Sequence, residues 1–274
     1  MNRVKSHLLT KEHDSLILNN KNNPQSTLNN INKRVINKLQ AVPWEINEDV
    51  LYYINDTLKP ADEPETPIQE RERVKAFKLR DLETDNVIDY LLENGNKFYF
   101  GWKYDKRGRS YSQGYHVNPQ GNSYRKAMLN YSNKEELTTE GIQYLKYDIA
   151  NQLGFDKESW FKRNLEATKV INIIFANDNF NEEAMLYIAD NKADDRELFI
   201  KAIYAYYRGV ILGEPIGHNM GLDCTASGLQ LMSALACCPV TAENSNVHAK
   251  IARQYTQEAQ DKLAELELEL ASIQ

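Results

Sequence analysis

The chain is poor in cysteine and has no long apolar run, and both shortages exclude classes of protein. Its 274 residues include 3 cysteines, Cys224, Cys237 and Cys238, which cannot build a disulfide framework. Neither these nor the 5 histidines show the spacing of a zinc site. No stretch of about 18 apolar residues could span a membrane, and residues 1–10 lack the apolar core of a signal peptide. The sequence therefore predicts a cytoplasmic protein without membrane contact and without structural zinc.

The net charge of −6 is unevenly distributed along the chain. With 42% hydrophobic and 26% charged residues, the chain can bury a core of its own. Basic residues cluster in one region, at Lys103, Lys106, Arg107, Arg109, Arg125 and Lys126. Acidic residues dominate the last stretch, at Glu258, Asp261, Glu265, Glu267 and Glu269. A local basic cluster on an acidic protein indicates a surface that contacts phosphates.

Hydrophobic periodicity predicts a mostly helical α+β chain. Helical patterns cover residues 35–54, 138–153, 182–188 and 195–210, and a further one runs from about residue 246 to the last residue. Residues 1–34 are polar and rich in asparagine, which predicts a flexible or loosely docked arm. A capping box at Thr66–Gln69 predicts a charged helix, and a second helix is expected to follow it and to end at Gly95.

One strand carries a strong alternating pattern. From Lys97 to Tyr104, the residues Phe98, Phe100, Trp102 and Tyr104 fall on one face. The sequence after it, Asp105-Lys106-Arg107-Gly108-Arg109-Ser110-Tyr111, is basic. Arginines at 107 and 109 can bind phosphates in a bidentate manner, Gly108 allows close backbone approach, and Tyr111 can stack or bond to a sugar. The alternative is a basic turn on a solvated face.

A second stretch, Gly221–Ala234, predicts a strand that ends on a carboxylate. Asp223 is followed by the small polar run Thr225–Gly228 and then by a helix with Leu229 and Met232. An aspartate at the end of a strand can hold a metal ion. The alternative is that Asp223, Thr225 or Ser227 only caps the helix.

The string from Asp223 resembles the first palm motif of single-subunit phage and mitochondrial RNA polymerases, Asp-Gly-Ser-Cys-Ser-Gly-Ile-Gln-His. The resemblance implies that Asp223 binds catalytic Mg²⁺ and that Cys224 offers its backbone carbonyl to the metal. It also implies that Gly228 leaves room for a ribose 2′-hydroxyl, where related DNA polymerases have a glutamate. Alternatively, Gly228 only relieves crowding at the start of a helix.

Upstream segments extend the resemblance over residues 41–274. The Asp-x-x-Gly-Arg signature at 105–109 and Asn118-Pro119-Gln120-Gly121-Asn122 match the loop that grips template and hybrid in this family. The resemblance assigns that role to Arg107, Gly108, Arg109, Tyr111 and Lys126. Gly154-Phe155-Asp156-Lys157 resembles a segment whose lysine reaches the incoming triphosphate, although Asp156 could instead cap a helix with Lys157 solvated. Ala41–Asn47 is similar to a further short segment of the family.

The resemblance implies a partial right-hand polymerase fold with a reduced thumb and the first part of the palm. The expected parts are residues 1–57, an arm and helical segment; 58–96, a linker and reduced thumb-like helices; 97–240, a palm portion with a helical insertion; and 241–274, a helix leading toward the fingers or a partner.

The second and third palm motifs do not occur in the sequence. We therefore expect a split DNA-directed RNA polymerase, as in N4-like phages, whose second subunit completes the fold and supplies the other catalytic residues. Template DNA, RNA product, ribonucleoside triphosphates and a promoter-recruitment factor are the further expected partners. The alternative is a non-catalytic nucleic-acid-binding relic or an accessory factor of a polymerase.

Overall fold

The computed structural model describes residues 30–58, 60–61, 64–104, 109–176, 179–221 and 227–245. The predicted N-terminal arm up to residue 29 and the predicted C-terminal helix from residue 246 onward lie outside these ranges. Four predicted site residues also lie outside them: Arg107, Gly108, Asp223 and Cys224. The chain divides into two compact units, residues 1–220 and residues 221–274.

The first unit is mostly helical, as predicted. Its helices are α1 (Asn30–Gln40), α2 (Glu48–Leu51), α3 (Pro67–Glu93), α4 (Ser123–Ala127), α5 (Thr139–Ala150), α6 (Trp160–Ile174), α7 (Glu182–Asn191) and α8 (Arg196–Tyr206). A π-helical turn extends α5 over Asn151–Phe155, and another extends α8 over Tyr207–Ile211. None of the described helices is both long enough and apolar enough to cross a membrane.

Two small antiparallel sheets lie among these helices. Strand β1 (Trp44–Ile46) pairs with β4 (Leu129–Tyr131), and β2 (Gly101–Tyr104) pairs with β3 (Ser110–Gln113). Strand β1 interrupts the region 35–54, for which the sequence predicts continuous helix. The reason is tertiary: Trp44 exchanges backbone hydrogen bonds of 2.8 and 2.9 Å with Phe98, and its ring packs on Tyr131 with centroids 4.7 Å apart.

The alternating aromatic residues that end in β2 form the aromatic part of the core. Phe98, Phe100 and Trp102 are buried, and Phe100 makes edge contacts with both Phe98 and Trp44. Regular strand geometry begins only at Gly101. The backbone N–H of Trp102 donates a 3.1 Å hydrogen bond to the side chain of Gln40, which joins β2 to the end of α1.

Helix α3 replaces the two helices that the sequence predicts between residues 67 and 95. Its start is as predicted, because Thr66 and Gln69 form a complete capping box and Pro67 occupies the first turn. No glycine or proline follows Pro67 within α3, so nothing breaks the helix. The residues of α3 that are buried lie near its C-terminal end: Thr84, Ile88 and Leu91.

Helix α5 begins where its sequence predicts, but it ends at Ala150 rather than Leu153, and a π-helical turn follows it. Thr138 caps it by accepting a hydrogen bond from the backbone N–H of Gly141, and Leu145 and Ile149 are buried. Gly154, with φ of 85°, lies at a kink within this π-helical turn. Ser159, rather than Asp156, caps α6.

The second unit contains α9 (Ser227–Leu235) and α10 (Pro239–Asn244). Helix α9 confirms the helix predicted after the small polar run. The side-chain amide of Gln230 donates a 2.7 Å hydrogen bond to the carbonyl oxygen of Ser245, which connects α9 to the end of α10.

Candidate nucleic-acid interface

The hairpin of β2 and β3 places two of the predicted interface residues on one surface. In its register Lys103 lies opposite Tyr111, and Trp102 lies opposite Ser112. Trp102 and Ser112 are buried, whereas Tyr111 and Arg109 are exposed. Because side chains alternate across a strand, Lys103, Tyr111 and Arg109 share the outer face. A phenol flanked by two cations can contact a phosphate-sugar backbone.

The segment Asn118–Asn122 is hydrogen-bonded to the back of this hairpin. The hydroxyl of Ser112 donates to Asn118 Oδ1 at 2.6 Å, and the backbone N–H of Ser112 donates to Gln120 Oε1 at 2.7 Å. Gln120 Nε2 donates to the carbonyl of Ser110 at 3.1 Å. Side-chain hydrogen bonds therefore join β3 to the segment Asn118–Asn122 in one unit.

Glycine is required at the turn between these segments. A Cβ atom on residue 114 would lie 2.2 Å from the carbonyl oxygen of Val117 and 3.2 Å from the ring of Phe100. Asn118 Nδ2 also donates to the carbonyl of Gly114 at 2.8 Å. The close approach of backbone to backbone fixes the angle at which the chain leaves β3.

Asn122 connects this unit to α4, which carries Lys126. Its side-chain oxygen caps α4 by accepting from the N–H of Arg125 at 3.1 Å, and its amide donates to Asp56 at 2.8 Å. Asp56 in turn forms a 2.6 Å ion pair with Arg80 of α3. Lys126 is exposed in the last turn of α4. Lys126 is thus held by the same loop that supports the hairpin.

Lys157 lies apart from this interface, in the turn between the π-helical segment and α6. Its side chain is exposed and forms no hydrogen bond or ion pair with any residue that the structure describes. Neighbouring Asp156 accepts a hydrogen bond from the guanidinium of Arg163 through its backbone carbonyl. Lys157 is therefore available to an anionic ligand, and no contact links it to the other candidate residues.

Gly228 lies in the first turn of α9. A Cβ atom there would meet no described heavy atom within 4 Å outside the backbone of its own helix. Residues 222–226, which precede the helix, lie outside the described residues, so both interpretations of Gly228 stay predictions.

No ligand of the predicted metal site is among the residues that the structure describes. Among the described residues, no group of three or more His, Cys, Asp and Glu side chains could hold a metal ion. The predicted ligands, the carboxylate of Asp223 and the carbonyl of Cys224, lie outside the described residues. Both are hard oxygen donors of the kind that Mg²⁺ prefers, so this donor set fits the ion. One carboxylate is too few for two such ions.

A buried polar cluster, which the sequence analysis missed, lies in the first unit. Lys201 of α8 is 2% exposed, and its ammonium group donates to the side chain of Asn219 and, at 2.6 Å, to the carbonyl of Leu129. His218 and Asp148 form a pair at 2.7 Å, with side chains 8% and 4% exposed. Lys201 falls within an otherwise apolar helical pattern and its partners are distant in sequence, so no local pattern signals the cluster.

Burial determines the protonation of this cluster. It lowers the pKa of Lys201 to about 7, although the negative charge of Asp148 acts in the opposite direction. Burial also lowers the pKa of His218, against the hydrogen bond to Asp148. A neutral imidazole that faces a carboxylate through Nε2 carries its proton there. Its Nδ1 atom has no hydrogen-bond partner among the described residues.

Sequence comparison finds relatives among DNA-directed RNA polymerases. The chain is 28% identical to a probable DNA-directed RNA polymerase of Agaricus bitorquis over 223 residues, covering 80% of this chain and 20% of the relative. It is 28% identical to the DNA-directed RNA polymerase of Pseudomonas phage phiKMV over 258 residues, covering 73% and 29%. It is 29% identical to T7 RNA polymerase of Escherichia phage T7 over 160 residues, covering 45% and 18%.

The chain spans less than a third of the length of each of these relatives. No protein-family model matches it. The relatives include phage enzymes and a mitochondrial enzyme of Schizosaccharomyces pombe, the same two groups that the motifs resemble. The comparisons therefore support a relationship between this chain and the single-subunit DNA-directed RNA polymerases of phage type.

Proposed function

We propose that this chain is one subunit of a DNA-directed RNA polymerase. The observation that supports this most strongly is the hydrogen-bonded unit of the β2–β3 hairpin and the segment Asn118–Asn122. It presents the exposed Tyr111 and Arg109 and the half-buried Lys103 on one face. Cations beside an aromatic ring suit the phosphates and sugars of a template strand or a hybrid. Arg107, Gly108 and Lys126 complete this surface in the proposal.

In the proposed active site, Asp223 holds Mg²⁺ with the help of the carbonyl of Cys224. The ion, when bound, supplies electrostatic stabilisation of the phosphoryl group during nucleotidyl transfer. Gly228 leaves space for the ribose 2′-hydroxyl of a ribonucleoside triphosphate. Lys157, an exposed cation without a partner among the described residues, contacts the triphosphate.

We propose that a second polypeptide supplies the fingers and the remaining catalytic residues. The 274 residues contain the first palm motif and neither of the other two. A single motif carboxylate cannot hold two divalent ions with the required charge and geometry. A separate factor is proposed to recruit the assembled enzyme to promoters.

Reconstitution tests the catalytic role. The chain, mixed with its proposed partner and Mg²⁺, should extend an RNA primer on a DNA template, and Asp223→Asn should abolish extension. Hybrid affinity should be unchanged in that variant, because the phosphate contacts remain. Asp89→Asn, an exposed aspartate of α3, serves as the control and should be fully active. Substantial activity of the Asp223→Asn assembly would favour the non-catalytic accessory role instead.

The size of the native protein tests whether the proposed enzyme is divided between two polypeptides. An antibody against this sequence should detect a species of about 31.6 kDa in the source cells, the mass of the 274 residues. Affinity purification of that species should recover a second polypeptide that contains the absent palm motifs. Detection of the sequence only within a much larger polypeptide would exclude a two-subunit enzyme while leaving the catalytic proposal intact.

A further inference from the structure

A row of aromatic rings lies on the surface of the first unit, where α5 packs against α6. The rings of Tyr144 and Tyr147 meet edge to face with centroids 6.0 Å apart, and the ring of Tyr147 lies 4.6 Å from that of Trp160. Tyr144 is 43% exposed and Trp160 is 53% exposed. Apolar groups that adjoin one another and stay open to solvent are typical of a binding surface.

The guanidinium group of Arg163 extends this row. Its Cζ atom lies 4.7 Å from the centroid of the Trp160 ring. Its Nη2 atom donates to the backbone carbonyl of Asp156, and its Nε atom donates to that of Glu158 at 2.9 Å. These two bonds fix the plane of the guanidinium group through backbone atoms and leave its positive charge uncompensated. We call Tyr144, Tyr147, Trp160 and Arg163 the aromatic row.

The charged residues of α5, α6 and the turn between them leave an excess of unpaired cations beside the aromatic row. Two lysines of α6 are neutralised, because Glu158 and Glu166 form ion pairs of 2.8 Å with them. Asp148 is buried against His218. Among the described residues, the cations that form no ion pair are Lys146, Lys157 and Arg163, and the carboxylates that form none are Glu140 and Asp156.

We infer that the aromatic row is a stacking surface for a single-stranded nucleic acid. Unpaired bases stack on tyrosine and tryptophan rings and on guanidinium planes, largely independently of sequence. The unpaired cations supply charge for the phosphates of the same strand. A duplex cannot use this surface, because its bases are stacked on one another. The contact lies outside the hairpin of β2 and β3, and it does not require the proposed catalysis.

The cations favour a nucleic acid over a protein at this surface. A protein that covered the rings would also bury Arg163, and a buried charge is costly unless the partner supplies a carboxylate. A nucleic acid strand supplies a phosphate with every base. The same strand can therefore satisfy both the rings and the cations.

Tryptophan fluorescence reports on this surface specifically. The chain has 3 tryptophans, and Trp44 and Trp102 are only 5% and 8% exposed, so Trp160 is the one that a base can reach. An oligothymidylate of about 12 nucleotides, added to the complete chain, should quench the emission of Trp160 in a saturable manner. A strand of the same length that lacks bases and a duplex of the same length should quench far less, since neither offers unpaired bases.

Substitutions within the aromatic row should weaken this binding. Tyr144→Ala and Arg163→Ala should each raise the oligothymidylate concentration for half-maximal quenching by at least about fivefold, the lower end for the loss of one stacked base. Tyr187→Ala, which removes an exposed tyrosine of α7, is the matched control and should leave this concentration unchanged.

Substitution of Trp160 itself requires a labelled strand, because the reporter is lost. The anisotropy of a labelled oligothymidylate should show a Kd raised by a similar factor in Trp160→Ala. Trp160→Phe keeps an aromatic ring and should change the Kd much less.

Three results would overturn the inference. They are an absence of quenching, equal quenching by the strand that lacks bases, and quenching that appears only when the proposed second polypeptide is added. The last result would assign the aromatic row to a protein partner. None of these measurements uses Mg²⁺ or nucleotides. An assembly that fails to extend a primer, together with normal quenching by oligothymidylate, would therefore overturn the proposed function and support the stacking surface.

Discussion

The hydroxyl of Ser112 donates a 2.6 Å hydrogen bond to Asn118 Oδ1, and this bond joins two segments that the sequence separates by a turn. Asn118 also accepts from the backbone N–H of Gln120 at 2.8 Å and donates to Gly114. One half-buried amide therefore organises both the hairpin and the loop behind it. The outer face of the hairpin depends on this side chain, although Asn118 itself does not belong to that face.

Asn118→Leu should weaken both the fold and the binding of nucleic acid. It removes the donor to the Gly114 carbonyl and leaves the Ser112 hydroxyl with only its 3.3 Å hydrogen bond to Gln120 Oε1, which costs about 1–3 kcal/mol of unfolding free energy. Denaturant unfolding and hybrid titration measure the two effects. Asn191→Leu is the control, because Asn191 bonds only to the carbonyl of Tyr187 at the exposed end of α7. Equal effects of the two variants would contradict the organising role of Asn118.

Arg109→Ala should weaken binding to template and hybrid across all sequences. Loss of one phosphate contact makes the plot of log Kd against log salt shallower by about 0.7–0.9 units of slope. Base preference should stay the same, because phosphates carry no sequence information. Lys169→Ala, which removes an exposed lysine that pairs with Glu166 of α6, is the matched control. An unchanged slope for Arg109→Ala would place this face of the hairpin away from nucleic acid.

Gly228→Glu should change the choice of nucleotide sugar without damaging the fold. A glutamate in the first turn of α9 favours the helix by roughly 0.3–1 kcal/mol, and a Cβ atom at residue 228 would meet no described heavy atom within 4 Å outside the backbone of its own helix. In the assembled enzyme, kcat/KM for ribonucleotides should fall by at least about tenfold relative to deoxyribonucleotides. Gly228→Ala adds only a methyl group and should change the ratio of these two kcat/KM values much less. A lower melting temperature of Gly228→Glu, together with an unchanged ratio of kcat/KM for ribonucleotides to that for deoxyribonucleotides, would reject the role of Gly228 in sugar selection.

Lys201 should make the stability of the chain depend on pH above neutrality. Its amine has a pKa of about 7 in the folded chain against an ordinary value of 10.5, so unfolding takes up a proton between these values. The free energy of unfolding should therefore rise with pH in this window, by at most about 1.4 kcal/mol per pH unit from this group. His218 and Asp148 face the same cluster, but the pKa of His218 is lowered from 6.5, so its contribution ends below this window.

Chemical denaturation of wild type and Lys201→Met at pH values from about 7 to 9.5 measures this effect. The difference between the two curves isolates Lys201, because the other titrating groups are common to both. Stability of Lys201→Met should be nearly level across the window. Parallel curves for the two proteins would mean that Lys201 keeps an ordinary pKa in the folded chain.

Local patterns in the sequence predicted much of this fold. The alternation of Phe98, Phe100 and Trp102 indicated a buried aromatic face, and the capping box at Thr66–Gln69 located the start of α3. Each of these signals is contained within a few residues, so it can be recognised without knowledge of the tertiary structure. The predicted break within α3 was wrong because a change in hydrophobic pattern was taken as a boundary where no helix-breaking residue occurs.

Local patterns could not predict contacts between residues that are distant in the sequence. Trp44 forms a strand because of its pairing with Phe98 and Tyr131, and the surrounding sequence looks helical. The partners of Lys201 come from four different parts of the chain, so its burial could not be read from α8 alone. The roles of Asp223 and Arg107 remain predictions from the motifs, and those of Arg109 and Tyr111 gain support from the shared face of the hairpin.

The buried residues of α3 lie near its C-terminal end, so the core holds the two ends of this helix to different degrees. Its 27 residues extend about 40 Å, and its buried side chains begin only at Thr84. Residues 67–72 are exposed, so opening these first turns would expose little further apolar surface, whereas opening the last turns would remove Ile88 and Leu91 from the core. The middle of the helix is held by the ion pair between Arg80 and Asp56. The first turns can therefore fray or bend toward a bound molecule independently of the core, and local contacts such as the capping box hold them.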